Sequence, residues 1–400
     1  MSNTSQLSAV FKVNYDTGSE VFVTQQNLEI YVWNKIKVSP IKPSPQGIFM
    51  PIGMSGNENG GAQNEDEGFP TPGAYLPVQP QISSKLITWP FQVTGSAIEL
   101  SETDKVAFAQ ALDAQQKDNL GRMFSDMNRQ ALNKGTGQMA LANGAGAGVS
   151  ALVVTNPFPF RRNMFIDVFQ TLGGTKQVSN IQITAVNYTT STLTLASAQT
   201  WSNNAIICKT GKMDGVPTGQ IGKELVGFQS IADTTTFSTT FENVVVANNP
   251  EWQGNVISFS VPVSQDALQQ IYNRNMIVGG KKADFLISNY GQARNFLNTE
   301  IQKTRYEPGE IEAGHTVLKW NDLEWLIDKD YDLGEVGMYT MDYIEKFQTR
   351  DPHLSKLTGL TLYQVDGFDK VGGYYSYYGN LGTWKRNAHA RGTGFTEPAF

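Results

Sequence analysis

Between Ser101 and Gly135 the chain runs SETDKVAFAQALDAQQKDNLGRMFSDMNRQALNKG, with no proline and with Gly121 as its one poor helix former before the end. A single helix of about 33 residues and about 50 Å follows at the standard rise. That is roughly three times the ordinary globular helix. Ser101 and Asp104 give a capping pattern with negative charge at the positive end, and Gly135 supplies the stop. Leu120, Met123, Phe124, Met127 and Ala131 keep the helical period and form one apolar stripe, extended backwards by Phe108 and Leu112. Asp113 with Lys117, Asp118 with Arg122, and Arg122 with Asp126 stand four apart, which puts ion pairs on the solvated side. No heptad is sustained, so a coiled coil is disfavoured. The stripe needs a sheet to cover it.

The chain has 400 residues, enough for two or three domains or for one core with large excursions. A net charge of −6 argues against a dedicated nucleic-acid binder, which carries a basic field. Cys208 is the single cysteine, so there is no internal disulfide and no thiolate cluster for zinc. A reducing cytoplasm fits. The opening MSNTSQLSAVFKVNYDTG lacks the basic region and apolar core of a secretory signal. No run approaches the roughly 18 apolar residues of a membrane span.

Gln25 to Val38 reads as a strand, because Leu28, Ile30, Val32 and Ile36 recur at even positions. From Pro40 to Pro90 the chain holds nine of its 17 prolines, together with GMSGNENGGAQNEDEGFPTPG, which builds neither a helix nor a central strand. An excursion of this length marks a binding loop, a lid or disorder. Its flanks are strand-like, Ile48 to Ile52 going out and Lys85 to Val93 coming back. The expectation is a two-stranded projection with an acidic tip at Glu65, Asp66 and Glu67. Such a ribbon is marginal alone and needs a neighbour to lie on.

After the helix, a β-rich block runs from about Val149 to Lys209, and NIQITAVNYTTSTLTLAS alternates as a hairpin. TGKMDGVPTGQIG marks its end. Beyond Lys223 helices and strands mix. Ser264 caps a helix carrying Leu268, Ile271 and Tyr272. Ala283 to Ile287 is a strand, and Ser288 opens a second helix with Ala293, Phe296, Leu297 and Ile301. Strands follow at Thr316 to Trp320, Glu324 to Ile327, Val336 to Met341, Leu360 to Val365 and Gly373 to Tyr378.

Each catalytic signature fails for a stated reason. Asp328, Asp330 and Asp332 have calcium-loop spacing, but Leu333 and Tyr339 occupy the positions that need glycine and a bidentate carboxylate. GQIGKE has Pro217 and Glu224 where a phosphate loop needs glycine and a hydroxyl. GAGAG at Gly144 to Gly148 precedes a strand, not a helix. His315, His353 and His389 are widely separated, with none at ligand spacing. Cys208 follows Ile206 and Ile207 and reads as a core residue. The aromatic run Tyr374, Tyr375, Tyr377 and Tyr378, with Lys385, Arg386 and Arg391 beyond it, can stack on nucleic acid. It reads better as a half-buried strand followed by a polar loop. No catalytic, cofactor or metal residue is nominated, and the chain is read as a non-enzyme.

The order of these parts resembles the major capsid protein of tailed bacteriophages, the Hong Kong 97-type (HK97-like) coat protein. The resemblance lies in EGFPTPGAYLPVQPQISSKLITWPFQVTGSAIEL before the helix, Asn128 and Arg129 followed by Gly135, Thr136 and Gly137, the step Asn249, Pro250 and Trp252, and LGEVGMYTMD. It implies an α+β fold with an N-terminal arm (1–46), an extended β-hairpin loop (47–97), and a long spine helix opening the peripheral domain (98–148). An inserted β subdomain (149–212), a mainly axial domain (213–348) and C-terminal strands returning to the core (349–400) complete it. By the same resemblance the chain self-assembles as hexamers and pentamers into the icosahedral head enclosing double-stranded DNA. Its implied partners are itself, the portal, a separate scaffolding protein and a decoration protein, with non-specific contact to packaged DNA and no membrane. Its place is the virion, assembled in the host bacterial cytoplasm.

Candidate intersubunit contacts are Glu65, Asp66, Glu67, Phe69, Lys85, Trp89, Arg122 and Arg129. Some relatives crosslink through a lysine on the extended loop. Residues 56 to 84 contain none, so non-covalent shells are expected. Arm and ribbon cannot bury enough of their own surface to be ordered alone. A carbohydrate-binding β-rich protein, motivated by the scattered tryptophans and tyrosines, stands as the alternative. A hydrolase without local motifs and a cellular nanocompartment shell are further readings.

Overall fold

The computed structural model describes residues 30–94, 105–215, 222–234, 239–301, 311–312, 315–316, 318–356, 362–364 and 367–397, without the side chains of 105–115 and 300–316. The expected arm up to residue 29 and the Ser101 cap lie outside these residues. Three six-stranded sheets and one long helix make up the body.

The spine helix, Lys105–Leu132, has the expected place. Met123, Met127 and Ala131 are fully buried, and Leu120 and Phe124 pack partly against the same core. Their cover is the first sheet, built on the strand Lys370–Thr383, together with Val32, Trp33 and Ile36. The helix ends at Leu132, and Gly135 takes the left-handed conformation that lets the chain turn away.

The reading of Gln25 to Val38 as a strand is corrected. Among the described residues of that stretch, from Ile30 on, Tyr31–Lys35 is a one-turn helix and Lys37–Val38 is a strand, pairing parallel with Ile344–Gln348. Val32 and Ile36 satisfy even spacing, but four residues apart they also share one helical face, and both are buried. Asn128 on the spine accepts the Trp33 backbone N–H at 3.0 Å, which ties the turn to the helix.

The projection is also built differently. Lys85–Thr94 does not pair with the outgoing strand. It runs antiparallel to Lys370–Thr383 along its whole length, from Lys370 opposite Thr94 to Gly379 opposite Lys85. Outgoing segments Ile48–Phe49 and Ile52–Ser55 pair instead with Gln81–Ile82 and Leu76–Val78. Ile48, Met50 and Ile82 cluster on Phe347, while Ile52, Met54 and Val78 rest on the main core. Residues 56 to 75 form no regular pairing beyond this base.

The inserted sheet starts earlier than expected, at Gln138–Leu141, and is antiparallel throughout. Its hairpin is the expected one, Lys176–Asn187 with Thr192–Trp201. The two edge strands meet at a bridge between Ala142 and Val154, so the sheet curls around its own core of Leu152, Ile166, Val168, Ile183 and Leu193.

In the third sheet, Phe285–Ser288 lies between Leu323–Ile327 and Val336–Tyr339. Strand alternation divides its side chains. Leu286, Trp325 and Met338 meet the helices Gln265–Gly279 and Tyr290–Ile301, whereas Phe285, Ile287, Leu326 and Tyr339 face the main core. The Ser264 cap forms, its Oγ accepting from Ala267 N–H at 3.3 Å, and Gly280 closes that helix in the left-handed region.

Candidate assembly surfaces

The tip of the projection presents Glu65, Asp66, Glu67 and Phe69 to solvent, with Phe69 96% exposed. Its hydrogen bonds are local. Glu67 accepts from Asn64 Nδ2 at 3.0 Å, Asn59 donates to the Thr71 carbonyl at 2.9 Å, and Asn57 accepts from Gly73 N–H at 2.6 Å. Tyr75, Leu76 and Phe49 continue an exposed apolar border towards the base. The base itself is latched. Gln81 N–H donates to the Glu242 carbonyl at 2.7 Å, and Asn243 donates to the Gln81 side chain at 3.2 Å. Glu242 and Asn243 form a tight turn with positive φ at both residues.

The other four candidates divide. Lys85 sets its ammonium on the Gly222 carbonyl of its own chain at 2.8 Å, with burial pushing its pKa down. Trp89, Arg122 and Arg129 are brought together, around a cleft of about 490 Å³ between the spine, the Thr88 to Pro90 stretch and the edge of the inserted sheet.

Arg129, offered as an intersubunit contact, is 4% exposed within the subunit. Its guanidinium bonds Glu224 at 2.5 Å and Asp126 at 3.1 Å, and Asp126 also accepts from Lys209 at 2.5 Å and from Gln130 at 2.9 Å. Burial opposes ionisation of Asp126, but Lys209 and Arg129 outweigh it and hold the carboxyl below the usual range. Lys209 is pushed down by burial in spite of Asp126, and its ammonium lies 4.9 Å from the Trp89 ring centre. The spine therefore has two buried faces, one apolar against the first sheet and one ionic against the inserted sheet. Arg122 keeps the expected pair with Asp118 at 2.7 Å, half-exposed. The pair with Asp126 does not form, because Asp126 turns to Arg129 and Lys209.

The tail after the tyrosine run is corrected too. It is not a polar loop. Arg386 is buried and donates to the carbonyls of Ile231, Trp252 and Ser230 at 3.1, 2.9 and 2.9 Å, with Phe241 4.0 Å beneath it. Arg391, also buried, pairs with Glu335 at 2.8 Å and Asp233 at 3.1 Å. Neither offers charge to nucleic acid. Tyr375 and Tyr377 are core residues of the first sheet. Nothing local announces this burial; the weak sign was the step at Trp252, whose carbonyl Arg386 reads.

His389 lies buried between Thr340 N–H and the Thr383 hydroxyl, and burial with Arg386 nearby pushes it down to about 3. His353 sits apart on the edge strand His353–Leu354, with Ser376 at 3.3 Å. Cys208 is buried, and burial, aided by Asp167, raises its thiol to about 12. Asp328, raised to about 6 by burial and by Asp330, accepts from Asn128 at 3.0 Å and works as a strut between spine and third sheet. Among the described residues no three His, Cys, Asp or Glu side chains come together as a metal site. No described helix is long and apolar enough to cross a membrane.

No protein-family profile and no curated protein matches the chain. Solved structures do. The capsid asymmetric unit of cyanophage A-1(L) superposes with a TM-score of 0.56 at 9% identity, covering 95% of this chain and 96% of that one. The capsid of Myoviridae phage XM1 gives 0.46 at 7% identity, covering 94% and 96%. The holo-SrpI encapsulin complex of Synechococcus elongatus gives 0.47 at 8% identity, covering 97% of each. The first of these is close enough to establish a shared fold over most of the chain. The chain has the fold of a phage capsid protein.

Proposed function

We propose, on the premise that this chain has the fold of a phage capsid protein, that it is the major capsid protein of a tailed bacteriophage. In this reading it has the HK97-type architecture and builds the icosahedral head around double-stranded DNA as hexamers and pentamers. The observation that carries the reading is the likeness over most of the chain to the cyanophage A-1(L) capsid subunit. A second feature supports it. The body has three substantial cores of its own, while residues 56 to 75 hold an acidic tip and an exposed phenylalanine away from them. A segment with so little self-burial is ordered by contact with another surface.

In domain terms, the spine and first sheet correspond to the peripheral domain, the third sheet with its two helices to the axial domain, and the base and tip to the extended loop. Assembly proceeds in the host bacterial cytoplasm with a separate scaffolding protein, and the finished shell carries a portal and accepts a decoration protein. Mild net negative charge keeps packaged DNA from adhering tightly to the wall. Shells are held without covalent crosslinks, so boiled, denatured particles run as single chains on a gel and a ladder of multimers contradicts this. The function is tested by sedimenting particles from a lysate of the source phage. The chain co-sediments as the most abundant protein with nuclease-protected double-stranded DNA. Recovery of the chain only in the particle-free fraction contradicts the assignment.

A further inference from the structure

The cleft beside the spine carries an imbalance of charge. Arg122 and Arg129 enter it from the spine, Arg161 and Arg162 from the turn before the strand Phe165–Phe169, and Lys209 and Lys212 from the end of the strand Ile206–Lys209 and the turn after it. Two carboxylates line it against these six cations, and both are engaged, Asp126 by Lys209 and Arg129, and Asp330 by Lys329 at 2.6 Å. Arg161 turns its guanidinium to the carbonyls of Phe158 and Phe160. Among the described residues Arg162 and Lys212 have no ion pair. Two buried donors on lining residues, Arg129 Nη1 and the Thr210 hydroxyl, have no acceptor. Glu224 Oε2 is also without a partner, but Glu224 is not part of the lining. A buried donor without an acceptor is costly, and an added acceptor relieves it.

The lining asks for an anion with several acceptor oxygens, small enough to approach donors set below the surface. A phosphate dianion meets both demands, because guanidinium and ammonium groups bond its oxygens in charge-assisted pairs. We infer that this cleft binds a phosphate group, with Arg162 and Lys212 at its rim and Arg129 and Thr210 at its floor. The cleft volume, about 490 Å³, falls within the range of about 300–1,000 Å³ typical of sites that enclose a ligand. A phosphate alone does not fill it. A group esterified to the phosphate has the apolar surface of Trp89, Pro90 and Pro159 to lie on. The ligand bridges segments far apart in the chain, so its binding free energy adds to the hold of the inserted sheet on the spine. The inference goes beyond the capsid reading and does not depend on it.

The test titrates the full chain with inorganic phosphate and, separately, with adenosine monophosphate, by calorimetry and by thermal melting at matched ionic strength. Inorganic phosphate is expected to bind once per chain with Kd of about 1 mM or tighter. At about ten times Kd it raises the melting midpoint by about 2 °C. Two variants spare the buried ion pairs, Thr210→Val at the floor and R162A/K212A at the rim. Each weakens binding about tenfold, and melting without phosphate reports that each is folded. Arg350→Ala, exposed and outside the cleft, leaves binding unchanged. Adenosine monophosphate that binds more tightly than inorganic phosphate, with the same dependence on Thr210, supports the site and makes its ligand a nucleotide. Phosphate binding without adenosine monophosphate binding supports it with free phosphate as the ligand. Chloride that reproduces the shift, or equal losses in Arg350→Ala, overturns the inference. A short DNA duplex that displaces phosphate and depends equally on Thr210 assigns the cleft to nucleic acid and overturns it too. None of these readouts requires shells, so failure here leaves the capsid reading untouched.

Discussion

The projection and the spine are neighbours in sequence and opposites in physics. The spine buries an apolar stripe on one side and an ionic cluster of Asp126, Arg129, Lys209 and Glu224 on the other. The projection buries only its base, and beyond Ser55 it holds its shape with bonds between its own asparagines and backbone. One segment is determined from within the subunit. In the proposed shell the other is completed by contact with a surface outside its own subunit. That contrast separates what the chain needs in order to fold from what it needs in order to assemble.

The largest expected effect lies on the projection. Removing residues 56–69 abolishes particle formation, yet thermal unfolding of the remaining chain keeps its midpoint to within about 4 °C, since almost no core is lost. A fall of the midpoint far beyond that breaks the contrast, because the tip is then part of the fold. The next effect lies on the spine. Arg129→Leu leaves Glu224 buried without its partner and lowers unfolding free energy by about 3–5 kcal/mol in denaturant titration. A change below 1 kcal/mol there removes the claim that this face is internal.

How much of this was legible in sequence differs between the same two regions. The stripe of Met123, Met127 and Ala131, the hairpin ending at Thr192–Trp201 and the Ser264 cap are local patterns, and local periodicity carries them. The partner of Lys85–Thr94 is a strand near the other end of the chain, and two alternating segments carry no mark of which strand each will join. Charges mislead in the same way. Asp126 and Arg129 have the spacing of a solvated helix face, and only the arrival of Lys209 and Glu224 from distant segments turns that face inward. Arg386 and Arg391 look like a basic tail and are struts in the interior. Of the eight contact candidates, the four at the tip are exposed as their sequence implies. Trp89, Arg122 and Arg129 share one cleft, and Lys85 bonds the Gly222 carbonyl of its own chain.

A pH series sharpens the comparison at the latch between base and body. Burial raises the Glu242 carboxyl from 4.5 to about 8, with Arg386 opposing. Between those values the folded state holds a proton that the unfolded state has lost, so stability falls as pH rises through this window. Glu242→Gln removes the fall. The variant equals the parent near pH 4.5 and exceeds it by about 2–4 kcal/mol above pH 8. An advantage that is the same at every pH contradicts this assignment. Smallest is Arg122→Ala, which breaks a half-exposed pair with Asp118 and costs less than about 1 kcal/mol. Its effect, if any, is read in assembly at low salt, where charges at the cleft count most.

The central claim is that this chain is a shell subunit, and electron microscopy of the purified full-length protein tests it most directly. Concentrated protein, alone or beside a scaffolding partner, is expected to form closed shells of uniform diameter built from six-fold and five-fold clusters. Protein that remains monomeric at high concentration under every such condition contradicts the account.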